Sequence, residues 1–403
     1  MADKFGFVGE KEKPLIKISD VVFFQEGPGV RNTQYTTKGV KLLNVANLVD
    51  GKIDLSTSNR YISEEEAYGK YNHFLCEAGD FVVASSGIKV EYIDKKMGFI
   101  EESMLPLCMN TSTIRFKVLD KNQLDIRYFM YYLKSRLFKE QLARHITGSA
   151  QLNYGPSHLK KMTMPLIALE KQKEMVAVLD KIQIIISNFQ QQLSELDTLI
   201  KARFVEMFGD PVSNSYRCHE ATLMELGELG RGVSKHRPRN DSKLLGGKYP
   251  LIQTGDVANS GLYITSYNST YSELGLKQSK MWNKGTLCIT IAANIAKTAI
   301  LEFDACFPDS IVGFIAGEQT NNIFIHYWFS FFQKIIETQA PESAQKNINL
   351  KILSELKVIV PEKEKQNEFA AFVQQIDKLR VVIQKSLDEA QYLFDSLMQE
   401  YFG

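Results

Sequence analysis

The sequence predicts an α+β protein with a pseudo-two-fold internal repeat, two α/β domains each followed by a long coiled-coil helix. Three observations predict it. Sliding the 403-residue chain along itself by 194 residues aligns 148–209 with 342–403 without a gap, and eighteen of those 62 positions are identical. Within each copy the apolar residues keep a 3-4-3-4 spacing, the signature of a sustained helical seam. Ahead of each copy, short apolar stretches entered from Gly turns or polar loops recur in the same order.

The elements follow in chain order. Residues 1–148 form the first α/β domain, in which 41–48, 78–86 and 108–116 read as strands and 125–146 as an aromatic-rich helix. Residues 149–211 hold the central helix. Its seam runs through Met175, Leu179, Ile182, Ile186, Phe189, Leu193, Leu196, Ile200, Arg203 and Met207. No Gly or Pro interrupts 169–208; Gly209 then offers a left-handed cap, and Pro211 blocks continuation. Forty residues at about 1.5 Å each give a helix of roughly 60 Å. The second domain, 212–342, repeats the strands as 250–257, 284–292 and 306–314 and the aromatic helix as 322–337. The last helix region, 343–403, carries the equivalent seam from Phe369, Val373, Ile376 and Arg380 to Tyr401. Each seam needs a partner. The other copy is the nearest one, and an intermolecular coiled coil is the alternative. The α/β domains have diverged far more than the helices, which suggests a fixed scaffold carrying two readers of different things.

Composition narrows the function classes. With 44% hydrophobic and 24% charged residues, the chain has the make-up of a globular protein. No apolar run approaches the roughly 18–20 residues that span a bilayer, so no membrane role is expected. Cys76, Cys108, Cys218, Cys288 and Cys306 are scattered and never paired at metal spacing, which suits a reducing cytoplasm. The charged opening 1–13 has no signal-peptide core. Phosphate-cradle, zinc-protease and serine-hydrolase motifs are absent, as is the Asn-Pro-Pro-aromatic run of amino-methyltransferases. Pro308, Asp309 and Glu318 approach a nuclease pattern, but Thr320 stands where its lysine belongs. The six histidines fall in unrelated contexts and read as core or surface residues.

What remains is local charge, since a net charge of +1 says nothing about partners. The strongest cluster is 231-RGVSKHRPRNDSK-243, with Arg231, Lys235, His236, Arg237, Arg239 and Lys243 against Asp241. Pro238 and Gly232 mark it as an exposed, flexible loop. Guanidinium forks fit both phosphate oxygens and the O6/N7 edge of guanine. The equivalent place in the first half, 27-GPGVRNTQYTTKGV-40, offers Arg31, Asn32, Gln34, Tyr35 and Lys38. Asn and Gln pair bidentately with adenine. A solvated loop is the plain alternative for each. Glu64, Glu65 and Glu66 are expected on a solvated face away from DNA.

At these residues the chain resembles the specificity (S) subunit of type I restriction-modification enzymes, the HsdS family. The run GSAQLN…MPLIALEKQKEMVAVLDKI is similar to the family's passage from a target-recognition domain into a spacer helix. The exit LIKARFVEMFGDP and the domain openings GVRNTQYTTKGVKLLNVANL and RGVSKHRPRN…GGKYPLIQTGDV complete the likeness, which covers nearly the whole chain. The resemblance implies a non-catalytic reader of double-stranded DNA. Each target-recognition domain would read half of an asymmetric bipartite site, and two antiparallel helices would set the unspecified spacer. Methyltransferase (M) and restriction/translocase (R) subunits would be the partners. No cofactor is expected on this chain, S-adenosylmethionine, ATP and Mg²⁺ belonging to the partners. The alternatives are a specificity subunit of another restriction or methylation system, a stand-alone DNA nuclease, and a coiled-coil adaptor. Gln151 and Gln345, inside the repeated Ser-Ala-Gln, are expected to cap a turn.

Overall fold

The computed structural model describes residues 14–145, 153–332, 334–335 and 348–403. Gln151 and Gln345 lie outside the described residues. The chain divides into two units, one comprising Met1–Ser187 with Leu387–Gly403 and the other Asn188–Ser386. The division cuts through both long helices, Leu169–Phe208 and Lys363–Phe402, rather than falling at their ends.

The first unit is built on an antiparallel sheet in the order Val22–Glu26, Thr113–Val118, Phe81–Ala84, Met97–Phe99. Phe81–Ala84 is buried at all four positions, the pattern of a strand covered on both faces. A smaller sheet sets Val40–Leu43 between antiparallel Tyr61–Ile62 and parallel Leu107–Met109. Thr163–Pro165 returns to pair with Leu15–Lys17, and Leu159, Met162 and Met164 enter the first unit's core. That core also takes Val176 and Leu179 from the central helix and Met398, Tyr401 and Phe402 from the last one.

The second unit repeats the plan with extra edges. Its main sheet runs Gly227–Arg231, Ile311–Ala316, Leu287–Thr290, Thr298–Leu301, Tyr263–Ile264. The smaller sheet runs Ser269–Tyr271, Leu245–Leu251, Ala305–Cys306, Met281–Trp282, again with one parallel pair in the middle. Ile200, Phe204 and Phe208 share a core with Phe369 and Val373. Within each unit, then, an early stretch of one long helix packs on a late stretch of the other. The two helices are antiparallel.

The repeat holds at the level of single pairings. Leu42 stands opposite Cys108, and Leu251, its counterpart, opposite Cys306. Phe81 pairs with Phe116 as Leu287 pairs with Phe314. Both central strands are entered through a glycine at positive φ, Gly79 at +86° and Gly285 at +88°, where a side chain would be strained. The helices themselves are each 40 residues long and offset by the same 194 positions as the sequence repeat.

Every predicted seam position is buried or half-buried. The two seam arginines are accommodated by carboxylates of the opposite helix within the second unit. Arg203 Nη2 donates to Glu368 at 3.2 Å and Arg380 Nη2 to Asp197 at 2.5 Å. Two expectations need correcting. The stretches 108–116 and 306–314 are not single strands: each spans the end of one strand in the smaller sheet and the start of another in the main sheet. A polar turn separates Leu107–Met109 from Thr113–Val118 and Ala305–Cys306 from Ile311–Ala316, and in 41–48 the strand runs only as far as Leu43. The aromatic helix of the first domain is two helices, Ile126–Lys134 and Arg136–His145. Ser135 breaks it: its Oγ donates to the Tyr132 carbonyl at 2.6 Å and accepts from Phe138 N at 3.3 Å. A serine hydroxyl offers the backbone a local alternative to the helical ladder, which the aromatic periodicity alone does not show. In the second domain the helix runs Asn322–Phe329, and Ser330 Oγ donates to the Tyr327 carbonyl.

Candidate nucleic-acid interface

Sheet register places the candidate loops. Glu26 and Val83 both stand opposite Ile114, so the turns after Val22–Glu26, after Phe81–Ala84 and before Thr113–Val118 open at one end of the sheet. In the second unit Arg231 and Ile289 both stand opposite Val312. The loops after Arg231, after Thr290 and before Ile311 therefore share the equivalent end.

Both candidate loops leave their strand through a glycine pressed against a neighbouring turn. A Cβ on Gly27 would lie 2.1 Å from the Asn110 carbonyl oxygen, and one on Gly232 would lie 2.3 Å from that of Pro308. Gly27 N donates to Thr113 O at 2.9 Å, and Gly232 N to Ile311 O at 2.8 Å. The two loops thus begin from the same frame, as their sequence positions suggested.

In the first loop the structure separates the predicted residues into two groups. Arg31, Asn32 and Lys38 are exposed. Gln34 is half-buried and its amide is spent on packing: Nε2 donates to Glu66 Oε1 at 2.6 Å and to Tyr71 Oη at 3.1 Å, and Oε1 accepts from Arg31 N. Tyr35 Oη accepts from Asn110 Nδ2 at 3.3 Å, with the Arg60 guanidinium 5.2 Å from its ring centroid. Glu66 is therefore not on a remote solvated face. Ser63 caps its helix by accepting from Glu66 N, and Glu66 in turn accepts from Gln34 of the candidate loop.

The second loop is exposed and is tied by hydrogen bonds to turns distant in sequence. Arg231 Nε donates to the Asp309 carbonyl at 2.6 Å, while the Asp309 carboxylate takes Arg239 Nη2 on one oxygen and Arg237 Nη2, at 3.5 Å, on the other. Arg237 Nη1 donates to the carbonyls of Ser234 and His236 at 2.6 and 2.9 Å. His236 N donates to Gln278 Oε1 at 3.0 Å, and Ser279 Oγ to the Val233 carbonyl. Asp241 accepts from Lys243 N and faces His236 Nε2 at 3.1 Å, contacts that hold its carboxyl below the usual range. Lys235 and Lys243 are exposed. All six predicted residues of this loop lie together.

Among the described residues no group of three or more His, Cys, Asp or Glu could hold a metal, and no helix is long and apolar enough to cross a membrane. Burial pushes the thiols of Cys76 and Cys108 up to about 12 and that of Cys288 up further. These are core residues, not nucleophiles.

The model of the family described as "Type I restriction modification DNA specificity domain" matches residues 16–198 and again 219–390. The chain belongs to that family. Among curated proteins, this specificity chain is 22% identical over 375 residues to the putative type I restriction enzyme MjaX specificity subunit of Methanocaldococcus jannaschii, covering 88% of this chain and 84% of that one. It is 26% identical over 187 residues to the MjaVIII specificity subunit of the same organism, covering 45% and 42%. Among solved structures it is similar to the S subunit of a type I restriction-modification system from M. genitalium, with a TM-score of 0.54 at 15% identity over 98% of both chains. A structure reported for the assembly and conformational transition of a type I R-M system gives 0.54 at 14% identity, covering 94% of this chain and 97% of that one.

Sequence reasoning missed several polar groups of the specificity chain. Asp309 and Gln278, which hold the second loop, lie some 40–80 residues from it in sequence. In the first unit an open cleft of about 510 Å³ after Phe81–Ala84 is lined by Lys89, Tyr92, Lys95 and Lys96. Lys96 Nζ donates to the Leu48 carbonyl, whereas Lys89 and Lys95 are exposed. Lys89, Lys95 and Lys96 carried a weak signal as a basic stretch; the holding residues carried none.

Proposed function

We propose that this chain is the non-catalytic DNA reader of a type I restriction-modification complex. Each α/β domain reads one half of an asymmetric bipartite site, and the antiparallel helices fix the unspecified spacer as a coiled-coil ruler. The residues that read are Arg31, Asn32 and Lys38 in the first loop, with Gln34 and Tyr35 shaping it, and Arg231, Lys235, His236, Arg237, Arg239 and Lys243 in the second. Methyltransferase subunits dock on this scaffold in the cytoplasm and bring S-adenosylmethionine; translocase-nuclease subunits bring ATP and Mg²⁺. One observation carries the reading: two loops of different sequence, both rich in DNA-compatible side chains, leave the same strand end of a duplicated frame.

Each half-site gives only moderate selectivity, at roughly 1–3 kcal/mol per mismatched pair. Joining two readers on a stiff spacer raises the effective concentration of the second once the first has bound. A helix of roughly 60 Å matches at most about 17 base pairs of spacer and half-sites at ~3.4 Å each. The test is to respace the target. Inserting or deleting one base pair between intact half-sites abolishes recognition by the assembled complex; unchanged binding overturns the ruler. The chain alone, given DNA with Mg²⁺ or S-adenosylmethionine, neither cuts nor methylates.

A further inference from the structure

The internal repeat supplies a control for deciding which contacts are scaffold and which are reader. Devices present in both units belong to the frame. The Gly27 and Gly232 approaches are duplicated. So is the turn after the middle strand of each smaller sheet, where Asn44 N donates to Asn47 Oδ1 at 3.0 Å and Gln253 N to Asp256 Oδ2 at 2.8 Å. The arginine cluster on Asp309 is not duplicated. By register, the first unit carries Glu26 where the second has Arg231, and Thr111 where it has Asp309. Thr111 Oγ1 donates to the Pro28 carbonyl at 2.8 Å and holds no cation.

We infer that Asp309 is a positioning residue for specificity, holding Arg239 as a preoriented fork that reads guanine in the half-site of the second domain, with Arg237 packed beside it on the same carboxylate. The inference rests on the DNA-reading role proposed above. Asp309 spends both carboxylate oxygens on two guanidinium groups that stay about half exposed, 54% for Arg237 and 45% for Arg239. On Arg239 only Nη2 is engaged among the described contacts. A two-hydrogen edge of that planar group remains open, the geometry that matches O6 and N7 of guanine. Arg237 is fixed further by its two carbonyl contacts. A bare arginine would lose rotamer freedom on reaching a base, whereas these side chains are ordered before contact. The carboxylate itself is opposite in sign to what a phosphate-binding patch wants. A negative charge kept inside a basic loop favours selectivity over general affinity.

That sign conflict makes the test discriminating. The full chain, wild type or Asp309→Asn, is assembled with its methyltransferase subunits, and the methylated motif is read by methylome sequencing. Binding to an unrelated duplex is measured across a salt series. For Asp309→Asn the expected result is a second half-site relaxed at one or two G·C positions, discrimination there falling about 10- to 100-fold. The first half-site is unchanged, and unrelated DNA is bound as tightly as before or more tightly, because a repelling charge has gone. Arg239→Lys, which keeps the charge and loses the fork, relaxes the same positions. Asp309→Glu restores part of the preference. An unrelaxed second half-site in Asp309→Asn overturns the inference. So does a parallel loss of specific and unrelated binding, or a change in the first half-site, since either marks a merely structural role. A wild-type complex that marks no two-part site overturns the DNA-reading proposal itself, and this inference with it.

Discussion

Gln366 accepts a hydrogen bond from Thr320 Oγ1 at 2.9 Å on its amide oxygen, and its amide nitrogen donates to the carbonyls of Gln319 and Pro361, both at 2.9 Å. Gln172, 194 positions earlier, accepts from Asp125 N and donates to the carbonyls of Gln123 and Ile167. Both side chains are fully buried. The identity of the two glutamines in the repeat is therefore mechanical: each ties the start of a long helix to its own domain. Replacing Gln366 by Leu strands the buried Pro361 carbonyl and the buried Thr320 hydroxyl, a cost of about 2–4 kcal/mol. Amide exchange in 319–325 should accelerate accordingly. Unaltered exchange there would remove the joint from the account.

The loop-base glycines make a prediction with an internal control. A methyl group at Gly27 or Gly232 meets backbone oxygen, which cannot swing aside. Gly27→Ala is expected to weaken recognition of the first half-site at least about tenfold, with mismatch costs of 1–3 kcal/mol as the scale. Gly232→Ala does the same to the second half-site. Competition binding of the assembled complex to half-site variants measures both, and each mutant should leave the other half intact.

Along the helix seam, apolar packing outweighs charge. Phe204 is buried among Phe208, Phe324, Phe331 and Phe369. Phe204→Ala should cost about 3–5 kcal/mol. The Arg380–Asp197 pair is partly open to water, so Asp197→Ala should cost less than about 1 kcal/mol. Urea unfolding of the two variants, followed by proteolysis of the second unit, separates these magnitudes. Comparable losses would mean that the ion pairs carry the seam.

Burial pushes His326 down to about 4, with Thr298 Oγ1 at 2.9 Å from its Nδ1. In the unfolded chain the imidazole titrates near ~6.5. Between those values the unfolded state binds more protons than the folded one, so the stability is present above pH ~6.5 and is lost as pH falls towards 4. About 3 kcal/mol should disappear across that window. His326→Gln should flatten the pH dependence relative to wild type in denaturant titrations, and identical slopes would contradict this assignment.

The parts of this molecule that repeat were legible, because repetition is visible without knowing any contact. The 194-residue offset located both helices, and the strand echoes marked the stretches in which Leu42 meets Cys108 and Leu251 meets Cys306, though not the pairings themselves. The seam was legible because burial on a helix has a period. What could not be read were contacts between side chains far apart in sequence. Asp309 under Arg239, Glu66 under Gln34 and Gln278 under His236 have no period and no motif. Composition could not show the hydrogen bonds of the second loop for the same reason, since their partners belong to other strands and turns. Ser135 was missed on a shorter scale, one hydroxyl outweighing an unbroken aromatic pattern.

The way the first core closes has a consequence for biosynthesis. Met398, Tyr401 and Phe402 complete a core whose other members begin at Ile18. The second unit, by contrast, is one uninterrupted stretch, Asn188–Ser386. During translation the first unit cannot complete this core until the whole of the second has been made. The domain made later can finish earlier. The core that begins first along the chain is thus the last to be completed. The nascent chain's long wait falls on the unit nearest its beginning, and a ribosome stalled before the last helical turn leaves that core unsealed.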